Sequence, residues 1–452
     1  MSQAEPASFW GDERPAVDGV LRWVADRVTR FSDPKATARP ASEIAADAGR
    51  TVTAQGIGWR AALDVFDRVL VPATRAQDDP LNLAYVPAAP TRVAIAFDLA
   101  TSAANIFAGM WEAGAGAIHA ENEALAWLVD LLGWPDTAGG TFVSGGTMGN
   151  LSALMTARET MLARRGTRPE SGWALAATGE AHSSIRGAAR VLDVDVVDVP
   201  IDARGHLTGA ALRPVLAANP QVFAVVASTG TTNGGLVDDL ADVADVCAEF
   251  GVWLHVDGAY GGAGLAAPSV RHLFEGIERA DSFIVDPHKW LFAPYDCCAL
   301  LYRDPRTARA AHSQHASYLA NIDREEWNPA DLATQLTRRA RGLPFWFSLA
   351  VHGTDEYQAA VESTLAIARE VAAGIAARPF LRLVRAPELS VVLFDRPGWS
   401  AQDYEAWSHT AAHAGTILCL PTTWCGQTVL RLAFVNPDTD PQRVLDALDS
   451  LR

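Results

Sequence analysis

Five short polar clusters in the middle of the chain carry residue types that do chemistry, and each sits where an apolar run ends. Val143-Ser144-Gly145-Gly146-Thr147 precedes the helical run MGNLSALMTARETMLARR, and Glu180-Ala181-His182-Ser183-Ser184 follows GWALAAT. Ser228-Thr229-Gly230-Thr231-Thr232 follows VFAVVA, His255-Val256-Asp257-Gly258-Ala259-Tyr260 follows GVWL, and Asp286-Pro287-His288-Lys289-Trp290 follows DSFIV. The glycine turn opening a helix offers main-chain N–H groups and a helix dipole to an anion such as a phosphate. An imidazole at a strand end stacks on an aromatic ligand or moves a proton. The hydroxyl-rich turn donates to a bound oxygen.

Each cluster alone also has a plainer reading. The glycines make a tight turn with Thr147 as a cap, His182 is structural, and the hydroxyls cap the next helix. Lys289 is then a surface lysine snorkelling past Trp290. Two residues weigh against those readings. Asp257 ends an apolar strand, where burying a carboxylate is costly unless a cationic group meets it. Lys289 lies in an apolar setting, where desolvation is expected to lower its pKa and favour the nucleophilic amine. A buried acid followed about thirty residues later by such a lysine is the pair that pyridoxal 5′-phosphate (PLP) requires, an acid for the pyridinium nitrogen and a lysine for covalent attachment. The anion-binding turn lies upstream of both.

These clusters need a scaffold that brings strand ends together. Between about residues 141 and 303, the runs GWALAAT, DVDVVDVP, VFAVVAS, GVWLHVD, DSFIV and CCALLYR alternate with helical segments. That pattern predicts an α/β unit with a largely parallel sheet, and ligands of such sheets bind outside the carboxyl ends of the strands. The spacing predicts one helical run from about Asp98 to Trp134, closed by Gly133-Trp134-Pro135, and another from about Phe345 to Ala377. LSVVLFD and TVLRLAFV then supply strands to an α+β tail. The expected organisation is an N-terminal helical arm over 1–75, a large cofactor-binding α/β domain over 76–345 and a small α+β domain over 346–452.

Composition narrows the partners. A formal charge of −16 disfavours nucleic acid and anionic membranes, which leaves a small molecule as the expected partner. MSQAEPASFWGDERP lacks the basic and apolar regions of a secretory signal, and no run is long enough for a membrane span. Five cysteines without paired spacing indicate neither a disulfide framework nor a zinc site, and no metal is expected. A reducing cytoplasm fits.

HVDGAYGG, ADSFIVDPHKWLFAPYDCCALLYRD, EAHSSIRGAAR, STGTTNGG and RRARGLPFWFSLAVHG occur in an order and spacing that resemble the group II PLP-dependent decarboxylases, the family of aromatic-L-amino-acid, histidine and glutamate decarboxylases. The likeness runs from about Leu81 to Gly353. It implies fold-type I, the aspartate-aminotransferase-like architecture, in an obligate homodimer with active sites at the interface. By the same resemblance Lys289 holds the cofactor covalently, Asp257 pairs with the pyridine nitrogen, His182 stacks on the ring, and Thr232 and Ala259 lie beside it. Gly146, Thr147 and His288 bind phosphate. Asp286 stands where relatives commonly have Asn, so a phosphate-proximal role would set two anions side by side. Tyr85-Val86-Pro87 resembles the substrate-pocket segment and suggests an apolar or aromatic amino acid.

The resemblance implies decarboxylation of an L-amino acid to the amine and CO2, with one departure. Relatives carry a proton-donating tyrosine on a loop upstream of the RR-x-R motif, whereas here that position falls in Glu326-Trp327-Asn328-Pro329, and Tyr318 is the nearest upstream candidate. In plant members a different residue there accompanies oxidative deamination to an aldehyde, ammonia and peroxide, so that reaction is the alternative. An aminotransferase and a PLP-binding protein without lyase activity complete the set of readings.

Overall fold

The structure, a computed structural model, describes residues 13–30, 33–313 and 327–452. Its larger sheet contains β1 (Gly139–Val143), β2 (Ala174–Thr178), β3 (Asp195–Val199), β4 (Val222–Ser228), β5 (Trp253–Asp257), β6 (Ser282–Val285) and β7 (Cys298–Tyr302). They lie in the order β1-β7-β6-β5-β4-β2-β3. Neighbours from β6 through β5, β4 and β2 to β3 pair in parallel, while β7 runs antiparallel to both β1 and β6. This is the fold-type I α/β architecture. β2, β4 and β5 are buried throughout, as strands covered on both faces must be. Their alternating residues feed two cores: Ala174, Ala176, Leu254 and Val256 into one, Leu175, Ala177 and Trp253 into the other.

A second sheet, β10-β11-β9-β8, is antiparallel throughout and consists of β8 (Arg382–Leu383), β9 (Val391–Asp395), β10 (Leu420–Trp424) and β11 (Gln427–Ala433). It has its own core with Val392, Phe394, Leu430, Leu432 and, from far earlier in the chain, Leu81 and Leu83. Asn82 bridges Leu418, and the Ala433 N–H donates to the Leu83 carbonyl. The segment leading to Tyr85 is therefore stitched to the small sheet.

Two expected helices are each divided. Arg92–Ala104 ends at Asn105 in the left-handed region, and a second helix, Trp111–Leu132, begins after Phe107 has bridged Arg339. Leu343–His352 and Thr354–Ala376 are separated by Gly353, whose φ of 80° no β-branched or bulky residue adopts readily.

The RR-x-R motif has a structural use. Arg338, 2 % exposed, pairs with both carboxylate oxygens of Glu121 at 2.8 Å and donates to the Ala108 carbonyl. Glu121 also accepts from the Gly342 N–H at 2.8 Å. Arg339 reaches Asp98 at 2.5 Å, and Arg341 pairs with Asp296 on the wall of the cavity described next.

Candidate active site

Strand β5 builds the floor of the site by its two-residue period. Trp253, His255 and Asp257 point to one face and Leu254 and Val256 to the other, so the carboxylate emerges at the strand's carboxyl end. Asp257 is 7 % exposed. Its Oδ2 accepts from Asn150 Nδ2 at 2.9 Å and its Oδ1 from the Ala259 N–H at 3.0 Å. Both carboxylate oxygens therefore serve as acceptors here.

Lys289 sits one turn beyond β6. Its Nζ lies 2.8 Å from Asp286 Oδ2, and Asp286 is 2 % exposed. Burial pushes the ammonium down, but the charge and hydrogen bond of Asp286 outweigh it and hold Lys289 above its ordinary value. The expected lowering is therefore corrected, because an apolar run in sequence conceals an acid three residues away that folds onto the amine. Burial likewise pushes Asp286 up, yet Lys289 and His288 hold it below the usual carboxylate range. His288 Nε2 is 3.8 Å from Asp286 Oδ2, and burial pushes its imidazole down.

Two adjoining cavities share His182, Asp257, Ala259 and Lys289. One, of about 410 Å³, is lined by Ser144, Gly145, Gly146, Thr147, Asp286, His288 and Tyr295 besides these. The other, of about 200 Å³, adds Tyr85, Val86, Thr231, Thr232, Tyr260 and Arg431. Gly146 opens the helix Gly146–Arg165 without any side-chain cap, which leaves first-turn N–H groups for a ligand. Pro87 is buried and is not among the lining residues of either cavity. Tyr318 lies outside the described residues, as does Glu326.

A family model described as the pyridoxal-dependent decarboxylase conserved domain matches residues 51–396, most of the chain and all the residues named above as lining the cavities except Arg431. The chain belongs to this decarboxylase family. Among curated relatives, an aromatic-L-amino-acid decarboxylase from Bacillus atrophaeus is 30% identical over 392 residues, covering 83% of this chain and 81% of the relative. An L-2,4-diaminobutyrate decarboxylase from Rhizobium meliloti (strain 1021) is 33% identical over 411 residues, covering 87% and 82%. Among solved structures, Oryza sativa TDC with PLP and tryptamine superposes with a TM-score of 0.89 at 25% identity over 99% of this chain and 98% of that one. The chain is a PLP-dependent carboxy-lyase acting on an amino acid.

The cavity of this decarboxylase fits its cofactor on its own evidence. A Cβ at Gly146 would come within 3.2 Å of Asp286 Oδ2 and 3.3 Å of Ala259 Cβ, so the cradle is kept open by the lack of a side chain. Asp286 Oδ1 is buried with no hydrogen-bond partner among the described residues, an orphan of the kind that a ligand group satisfies. Two residues of the decarboxylase site lie outside the five strand-end clusters. Arg431 on β11 is 6 % exposed, donates through Nη1 to the Tyr85 carbonyl, and leaves Nε and Nη2 without a partner among the described residues. The signal was a lone arginine inside TVLRLAFV. Asn150 is the other, inside a helix four residues after Gly146; His255 opens one of the clusters, but the sequence assigns it no role.

Proposed function

We propose that the enzyme decarboxylates an L-amino acid with an apolar or aromatic side chain to the corresponding amine and CO2. The observation that carries this reading is the convergence of Lys289, Asp257 and His182 on cavities that also hold Tyr85, Val86 and Arg431. Lys289 would hold the cofactor covalently. Asp257 would keep a proton on the pyridine nitrogen, with the Asn150 and Ala259 bonds preventing the carboxylate from turning away. His182 would cover one face of the ring, with Ala259 and Thr232 beside it. Ser144 through Thr147 would offer main-chain N–H groups to the phosphate, with His288 nearby. When bound, PLP supplies the sink for the electrons left on Cα as CO2 departs.

Asp286 makes the phosphate end more anionic than an Asn would, and its pairing with Lys289 offsets that charge. Arg431 presents an unpartnered guanidinium face to the cavity and would draw in the carboxylate of the substrate. Tyr85 and Val86 would meet the substrate side chain; buried Pro87 supports them from behind. We assign the chain an arm over 1–75, a large domain over 76–345 and a small one over 346–452.

Val17, Val20, Leu21, Phe66 and Leu70 are 40–50% exposed on the arm, and such an apolar surface supports burial against a second copy. Sedimentation of the holoenzyme at twice the chain mass is the expected result. A monomer at micromolar concentration would remove the dimer from the proposal.

The sequence feature favouring the second reading, oxidative deamination to an aldehyde, is the lack of tyrosine at Trp327, Asn328 and Pro329. Oxygen uptake measured beside CO2 release over a panel of aromatic and aliphatic amino acids separates the two. CO2 without oxygen consumption, and amine as product, is expected; a Tyr318→Phe variant that then loses amine formation would name the proton donor. Oxygen consumed in step with CO2 would establish the aldehyde reaction instead.

A further inference from the structure

Behind the cavities runs a line of hydrogen-bonded side chains whose direction is set at both ends. Indole Nε1 only donates, and Trp253 Nε1 lies 2.8 Å from Ser282 Oγ. Ser282 therefore accepts there and has its one proton left for His255 Nδ1, 2.9 Å away. The two residues face each other across the β5–β6 register. His255 is fully buried, and burial pushes its imidazole down to about 4, so the ring is neutral. With Nδ1 accepting, its proton sits on Nε2 and goes to Asn150 Oδ1 at 2.8 Å.

That contact turns Asn150 Nδ2 toward Asp257 Oδ2 and Ser184 Oγ, each at 2.9 Å. The far end demands the same orientation independently, since an ionised carboxylate only accepts. Ser184 Oγ, having accepted from Asn150, gives its proton to His182 Nδ1 at 2.8 Å, where the Ser184 main-chain N–H also points at 3.2 Å. The tautomer left to His182 carries its proton on Nε2. Asn150, Ser184, His255 and Ser282 are all buried; Asn150 alone of the four also lines a cavity, the larger one.

We propose that Asn150 is the positioning residue of the site: its one amide holds Asp257 in place and, through Ser184, fixes His182 as the Nε2–H tautomer. This rests on the assignment of Asp257 and His182 to the cofactor ring. His182 then presents a proton donor, not an acceptor, on its free nitrogen. The group that couples ring protonation to this donor is thus a neutral side chain, invisible to any search for titratable residues.

The test is nitrogen-15 NMR of histidine-labelled enzyme, before and after loading with PLP, with the His182 signals assigned by their loss in His182→Gln. Wild type is expected to show His182 protonated at Nε2. Ser184→Ala leaves Nδ1 only the longer main-chain N–H at 3.2 Å, so it should add a minor Nδ1–H population to the spectrum while leaving the PLP dissociation constant within about twofold. Asn150→Asp, which sets an acceptor against Asp257, should shift the His182 signals and weaken PLP binding about 10- to 100-fold, the range for losing a hydrogen bond to a charged group.

A wild-type His182 protonated at Nδ1 would overturn the proposal, and so would an Asn150→Asp enzyme with unchanged affinity and an unchanged His182 tautomer. Should Asn150→Asp fail to fold, the wild-type and Ser184→Ala spectra decide the matter alone. A wild-type enzyme that binds PLP without the visible band of a lysine-linked cofactor would instead count against Lys289, which keeps the two assignments separable.

Discussion

Lys289→Ala is expected to bind PLP without the visible absorption band of the lysine-linked cofactor and to release CO2 more slowly on the order of 10⁴-fold, the scale of losing a covalent catalytic group. Absorbance spectroscopy and a CO2 assay check both; an unchanged band would refute the assignment. The substitution has a second, separable effect. It strands Asp286, which is 2 % exposed and has no partner for Oδ1. In wild type the carboxyl is held below its unfolded value by Lys289 and His288, so its contribution to stability is present at neutral pH and disappears as pH falls through the folded value. In the variant burial acts nearly unopposed and raises the carboxyl, so the folded state resists ionisation as pH rises. The stability deficit should be small in acid and grow toward neutral pH, to about 1–3 kcal/mol once the partial exposure of Lys289 is allowed for. Thermal melts of the two apo proteins between pH 4 and 8 measure it, and a deficit that shrinks with rising pH would contradict the pairing.

Asp257→Asn should cost about 10²- to 10³-fold in decarboxylation, the usual effect of removing one preorganised electrostatic partner from a buried site. The amide cannot reproduce the carboxylate. One of its ends is a donor, and whichever way it turns, that end faces either Asn150 Nδ2 or the Ala259 N–H, both of them donors. The loss should therefore appear in PLP affinity as well as in turnover. Equilibrium dialysis of PLP beside steady-state kinetics distinguishes this from a fault of folding, which would lower the active fraction without moving KM or the dissociation constant. A variant with wild-type turnover would mean that Asp257 does not face the ring nitrogen.

The sheet and the strand-end residues were legible because both follow from local rules. Apolar runs of strand length mark buried parallel strands, and ligands collect where those strands end. Lys289, Asp257 and His182 meet in one place for that reason. What escaped depends on residues far apart in sequence. The raised pKa of Lys289 comes from a side chain three residues away whose direction only the turn after β6 decides. Arg431 reaches the cavity because residues 81–85 pair with the small sheet, a contact across more than three hundred residues. Asn150 faces the sheet because Gly149 lets the helix approach it: a Cβ there would meet Ile284 Cγ2 at 2.8 Å. The helix break at Gly353 is a single-residue backbone event, and the one at Asn105 opens a six-residue connection whose bridge to Arg339 lies more than two hundred residues away in sequence.

The stitching of residues 81–85 to the small sheet divides the labour of the site along a mechanical seam. Tyr85 is tied by its carbonyl to Arg431, and Leu83 to Ala433, so the wall proposed to meet the substrate belongs physically to β11. Asp257 ends β5, Lys289 lies in the short helix that follows β6, and His182 caps the helix that follows β2, all on the large sheet. Any rocking of one sheet against the other would carry the recognition wall as one plate across a stationary reaction centre. On that proposed assignment, substrate preference would have to be transplanted in two pieces at once, residues 81–87 with 418–433, and a graft of either alone would separate the plate from its hinge.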